Sequence, residues 1–87
     1  MRRILVVCMI AIATPASAGP QCTNEPADKW IPKEDLLNKI VAEGYKVGVF
    51  KVTTGKCYEL YGMDKAGKRV EIYYNPVSGD VVKMNSR

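Results

Sequence analysis

The sequence predicts an α+β domain in which one N-terminal helix packs on a three- to four-stranded antiparallel β-meander. Three observations carry that expectation. Apolar residues recur at helical spacing through Leu36, Leu37, Ile40 and Val41. From Tyr45 onward the apolar period falls to two. Turn clusters at residues 54–56, 64–68 and 75–80 then cut the remainder into short strands.

Residues 1–18 read as a secretory signal peptide. Arg2 and Arg3 make a positive start, residues 4–13 form an uninterrupted apolar run that Pro15 breaks, and Ala16-Ser17-Ala18 is a small-x-small cleavage site. The run is about half of the ~20 residues a spanning helix needs, so no membrane span is expected in the mature form. Cys8 follows Val6 and Val7 inside the run, where a lipoprotein cysteine would follow small residues. Beyond Arg2-Arg3 nothing points to twin-arginine export. Cleavage leaves residues 19–87, one small domain expected in the periplasm or outside the cell.

A chain of that size buries only about 60% of its unfolded surface and is marginal without a staple. Losing Cys8 leaves Cys22 and Cys57, an even pair in an oxidising compartment, which reads as a disulfide. Closing a loop of about 35 residues is worth ~3.8 kcal/mol on chain entropy. The alternative is two free thiols for redox or metal work. It has no Cys-x-x-Cys and no histidine to support it.

Residues 19–29 are polar and carry Pro20, Asn24 and Pro26, so they read as an extended arm ordered mainly by the Cys22 bridge. The domain proper is expected over residues 30–84. Trp30-Ile31-Pro32 introduces the helix, with Pro32 at its first position, where a missing N–H costs nothing. Glu34 and Asp35 suit the positive end of the helix dipole. No Ser, Thr or Asp stands just before Pro32, so the N-cap is poor. Gly44 is placed for a left-handed C-terminal cap. Strands follow at residues 45–53, 57–63, 69–74 and 81–84, and residues 85–87 are expected to fray.

Parity fixes the second hairpin. With Asp64 facing Lys68, one face receives Gly62 with Val70, Leu60 with Ile72, and Tyr58 with Tyr74. The other receives Tyr61 with Glu71 and Glu59 with Tyr73. A slip of one residue would mix apolar and charged positions on both faces. In the first hairpin, pairing Thr53 with Cys57 sets Val52 and Phe50 beside Tyr58 and Leu60. It also turns Val47 and Val49 outward, a conflict that a bulge near Gly48 would resolve. The expected core is Leu36, Leu37, Ile40, Phe50, Val52, Tyr58, Leu60, Val70, Ile72 and Val81. Gly48 and Gly62 would leave a hollow for close approach of the helix.

Catalytic chemistry is sparse. The chain has no histidine, hence neither the usual general base nor the commonest metal ligand. Ser78 and Ser86 have no base in view. The carboxylates alternate with lysines, Asp64 and Asp80 sit in turns, and calcium would need several such oxygens together. Gly55-Lys56 and Gly67-Lys68 lack the spacing of a phosphate loop. No enzyme activity, metal or cofactor is expected. The chain carries 13 Lys+Arg against 9 Asp+Glu, a net +4 that falls to +2 once Arg2 and Arg3 leave. That is too mild to suggest nucleic acid. What remains is surface: the face opposite the helix, with Lys51, Glu59, Tyr61, Glu71 and Tyr73. It reads either as a solvated face with local cross-strand pairs or as a partner-binding face anchored by tyrosines. Strand addition at an open sheet edge is a related option.

Four segments together resemble a PepSY domain of the short secreted, single-domain bacterial type. They are Gly44-Tyr45-x-Val47, Cys57-Tyr58-Glu59-Leu60-Tyr61, Asp64-x-x-Gly67-x-Arg69-Val70-Glu71-x-Tyr73 and Asn75-Pro76-x-Ser78-Gly79-Asp80-Val81-Val82. The last is the most specific. The helix start lacks the family's usual Ser/Thr, and Lys56 is an extra residue before Cys57. The resemblance implies a non-catalytic module of the kind found in propeptides of thermolysin-type metallopeptidases and in envelope proteins, proposed to inhibit or regulate proteases. Here a protease would be a partner bound in trans. A small-ligand or ion sensor of the cell envelope is the alternative, and it predicts a pocket between helix and sheet near Gly48 and Gly62.

Overall fold

A computed structural model describes residues 19–86; the expected signal peptide lies outside the described residues. A 3-10 turn, Ala27–Lys29, leads into helix α1, Lys33–Ala42. Strands β1 (Lys46–Val52), β2 (Tyr58–Met63), β3 (Arg69–Tyr74) and β4 (Val81–Ser86) form one antiparallel sheet in sequential order. The α+β meander expected from the sequence is the observed fold, with four strands.

Pro32 stands at the N-cap of α1, one position earlier than expected, with no side-chain cap. Gly44 closes the helix at φ 102°, and its N–H donates to the Val41 carbonyl. The β2–β3 register is the one parity requires, from Tyr58↔Tyr74 to Met63↔Arg69. Gly67 takes φ 82° in the connecting turn. In the first hairpin Phe50 pairs with Leu60 and Val52 with Tyr58, and a bulge between Val47 and Val49 carries Gly48. The bulge returns Val47 to the core side, where it packs on the cluster. Lys56 adopts φ 60° as the left-handed third residue of this loop.

The core side of the sheet is apolar and aromatic. Leu36, Ile40, Phe50, Tyr58, Leu60, Val70, Ile72 and Tyr74 form one cluster, and Trp30, Ile31, Leu37, Tyr45 and Val47 pack against it. The Tyr58 hydroxyl donates to the Ile31 carbonyl at 2.7 Å, and its ring meets Trp30 edge-on at 5.6 Å. Burial, with Tyr45 and Glu43 nearby, pushes the Tyr74 hydroxyl up to about 12.

Four expectations need correction. Val52 and Val81 are exposed rather than core: they stand at the ends of their strands, and Val81 borders Leu36 and Ile40 of α1 only across an open hollow. Gly48 and Gly62 do not admit the helix. A methyl group on Gly62 would overlap the Lys46 carbonyl, so this glycine accommodates the bulged β1 backbone. Asn85 and Ser86, expected in a tail beyond the last strand, lie within β4 opposite Glu71 and Val70. The arm is not purely extended, since it contains the 3-10 turn.

The segment 75–80 is a structural junction. Asn75 Oδ1 accepts from the Val77 and Ser78 amides, and Gly79 takes φ 81°. Asn75 Nδ2 donates to the Cys22 carbonyl. The carbonyl of the fully buried Pro76 accepts from Ile31 N–H at 2.7 Å. One turn thereby ties the arm, the helix start and the β3–β4 connection together.

Candidate functional site

The sheet face away from α1 gathers the residues singled out from the sequence. Cross-strand partners run Lys51↔Glu59↔Tyr73 and Val49↔Tyr61↔Glu71↔Asn85, with Lys83 opposite Tyr73. Alternation along each strand puts all of these on one side.

The arm crosses part of this face. Cys22 and Cys57 are disulfide-bonded, with Cα atoms 5.1 Å apart. Cys22 N–H donates to the Gly55 carbonyl at 2.9 Å. A methyl group on Gly55 would overlap the Pro20 carbonyl, and one on Gly19 would come within 3.0 Å of the Tyr73 hydroxyl oxygen. Tyr73 is buried against Gly19 and its cross-strand neighbour Glu59 is buried as well, whereas Tyr61 remains 41% exposed. The expected contact face is therefore narrowed: only Tyr61 and Lys51 stand well clear of the protein.

The signal for this cover was in the sequence. Cys57 alternates with Tyr58, which faces the helix, so a bridge at Cys57 must draw the arm to the opposite side.

Both oxygens of Glu71 are partnered. Tyr73 donates its hydroxyl to Oε2 at 3.1 Å, and Asn85 Nδ2 donates to Oε1 at 3.0 Å. Tyr61 foremost, then Asn85, hold the Glu71 carboxyl down to about 2. The reciprocal effect of Glu71, then Glu59, raises the Tyr61 hydroxyl far above its ordinary range. Burial first, then the two carboxylates, raises Tyr73 likewise.

Glu59 is served differently. Its Oε1 lies 4.0 Å from Lys51 Nζ, whose side chain is half exposed, and that ammonium also sits 5.6 Å from the Tyr61 ring centre. A pair so long and so wet is worth ~0–1 kcal/mol. Glu59 Oε2 is buried with no hydrogen-bond partner. An orphaned buried acceptor costs roughly 1–3 kcal/mol, more when charged. Beside it lies a cavity of about 340 Å³ walled by Lys51, Thr53, Thr54, Glu59, Tyr61 and Tyr73. The arrangement can accept hydrogen bonds from a cation. Among the described residues no group of three or more His, Cys, Asp or Glu could hold a metal ion.

Two other surfaces stand open. Edge strand β4 exposes Val81, Val82 and Met84 and has no strand neighbour on its outer side among the described residues. A hollow of about 450 Å³ beside Gly48 and Gly62 is lined by residues of β1, β2 and β3 and by none of α1. Among the described residues no helix is long and apolar enough to cross a membrane.

The family model described as peptidase propeptide and YPEB domain (PepSY_2) matches residues 2–85. No curated protein and no solved structure matches the chain.

Proposed function

The chain belongs to the peptidase propeptide and YPEB domain family, and from that premise we propose that it is an exported, non-catalytic module that binds and restrains an envelope peptidase in trans. The match over residues 2–85 carries this reading, because the family includes propeptides of peptidases. The Cys22–Cys57 bridge favours an oxidising compartment. A signal peptide over residues 1–18, removed at Ala18, is part of the same proposal.

The surface that suits a partner best is β4. Among the described residues its outer edge has no strand neighbour, and Val81, Val82 and Met84 supply exposed apolar side chains for an added strand. Tyr61 and Lys51 form a second, smaller exposed patch on the arm side. The sensor alternative draws on the hollow at Gly48 and Gly62, which lies at the sheet surface without a helical wall.

The experiment is a titration of the purified protein against envelope metallopeptidases of its own cell. Inhibition that saturates at one equivalent and is lost in Val82→Lys/Met84→Lys, with melting temperature kept, is the expected result. Undiminished peptidase activity at saturating protein would remove the inhibitor reading. Pull-down with Tyr61→Ala tests the smaller patch.

A further inference from the structure

We infer that the back of the sheet holds a binding site for a primary ammonium, and that its occupant is the α-ammonium of Gly19 created when the leader is removed. The inference rests on the export reading above. Hydrolysis of the Ala18–Gly19 bond by a signal peptidase consumes one water, leaves a carboxylate on Ala18 and gives Gly19 a charged amine with three donors.

Three observations bring Gly19 and an unpartnered acceptor to the same side of the sheet. Gly19 lies against the hydroxyl end of the Tyr73 ring, where an added methyl group would come within 3.0 Å of the oxygen. That hydroxyl donates to Glu71 Oε2, and Tyr73 pairs across the sheet with Glu59. Glu59 Oε2, on a side chain 5% exposed, has no partner. The Tyr61 and Tyr73 hydroxyls lie close enough to Glu59 to be raised by it, but neither bonds Oε2, so that buried oxygen has room for a further donor. The nearest cation, Lys51, is half exposed and reaches only the other oxygen, at 4.0 Å.

Gly19 is also held on a short tether. Cys22 is fixed three residues away by the disulfide and by its bond to Gly55, so little chain entropy opposes docking. The groups facing the site are Lys51 of β1, Glu59 and Tyr61 of β2, Glu71 and Tyr73 of β3, and Lys83 and Asn85 of β4. Two carboxylates and two lysines leave the balance to position. Glu59 lies inward, Glu71 is half-buried and the Lys51 ammonium lies outward.

Processing would thus complete the site. The precursor has an uncharged amide at Gly19; the mature chain has the cation that Glu59 lacks.

The test uses the mature protein recovered from the periplasm, with its N terminus read by intact mass. The amine is titrated through the Gly19 13Cα shift by NMR. The midpoint should lie about one unit or more above the ordinary 7.7–8.0, a tenfold change in proton affinity. Glu59→Gln/Glu71→Gln should return it to the ordinary range. An alanine inserted before Gly19 alters no core residue and should also give an ordinary amine, which keeps the test valid if the double variant fails to fold. An ordinary midpoint in the unaltered mature chain, or one unmoved by the added alanine, overturns the docking. A mass that does not begin at Gly19 overturns the processing premise instead, and the inference with it.

Discussion

Leu60 and Glu59 are neighbours on β2, both are buried, and different things bury them. Leu60 lies in a contiguous apolar cluster with Leu36, Ile40 and Ile72. Non-directional burial of this kind is worth ~1.5–3 kcal/mol for a whole aliphatic side chain. Glu59 lies beside Tyr73 on the side of the sheet that the arm crosses, and the arm is fastened there by one disulfide and two hydrogen bonds, from Cys22 N–H to Gly55 and from Asn75 Nδ2 to the Cys22 carbonyl. One oxygen of Glu59 is orphaned there. The helix side supplies stability; the arm side consumes some of it to hold polar groups in a fixed arrangement. Regions of that second kind are where function is usually found.

Truncating the first side should hurt most. Leu60→Ala removes a fully enclosed side chain, and we expect a loss of ~4 kcal/mol in denaturant unfolding, within the range for such cavities. A loss below ~1 kcal/mol would mean the two faces share one loosely packed core.

Breaking the bridge attacks the second side. Cys22→Ser/Cys57→Ser should cost ~3 kcal/mol, in the range for native bridges of small domains. Tyr73 should become solvent-accessible, while the near-ultraviolet signal of the Phe50–Tyr58–Tyr74 cluster persists. Simultaneous loss of both signals would show that the arm also holds the helix side together.

Asn75→Ala separates the junction from the bridge. It removes the turn bonds to Val77 and Ser78 and the bond to Cys22, and we expect ~1–2 kcal/mol. An unchanged melting temperature would assign that turn to Gly79 and Pro76 alone.

The smallest effect is in acid. The Glu71 carboxyl, ordinarily near 4.5, is held to about 2 in the fold. A depressed carboxyl contributes stability in full above its unfolded value, and that contribution fades as pH falls from about 4.5 towards 2. The melting temperature should drop over that window, and Glu71→Gln should flatten the drop. An equally steep fall in the variant would place the acid sensitivity elsewhere.

Much of this was legible in the chain. Register in β2–β3 followed from parity, since Leu60, Ile72, Tyr58 and Tyr74 cannot share a face with Glu59 and Glu71 at acceptable cost. A bulge at Gly48 followed from the conflict over Val47 and Val49, but it returns only Val47 to the core side, and Val49 stays exposed opposite Tyr61. The positions of Val52 and Val81 were not legible. Period-two alternation says which face a residue takes but not whether a position at a strand end is covered there.

The sequence by itself determined the α+β class, the order of elements, the β2–β3 pairing, the Cys22–Cys57 bridge and the scarcity of catalytic groups. All of these depend on local periodicity, turn chemistry or residue identity. The bridge at Cys57 tells which side of the sheet the arm takes; tertiary structure alone decided that Gly19 lies against Tyr73, that Asn75 and Pro76 anchor both the arm and the helix start, and that β4 has no strand neighbour on its outer side among the described residues. These are contacts between segments far apart in the chain. An aperiodic segment such as residues 19–29 carries no pattern that states what it will cover; the covalent bridge and close backbone packing at Gly55 determine that.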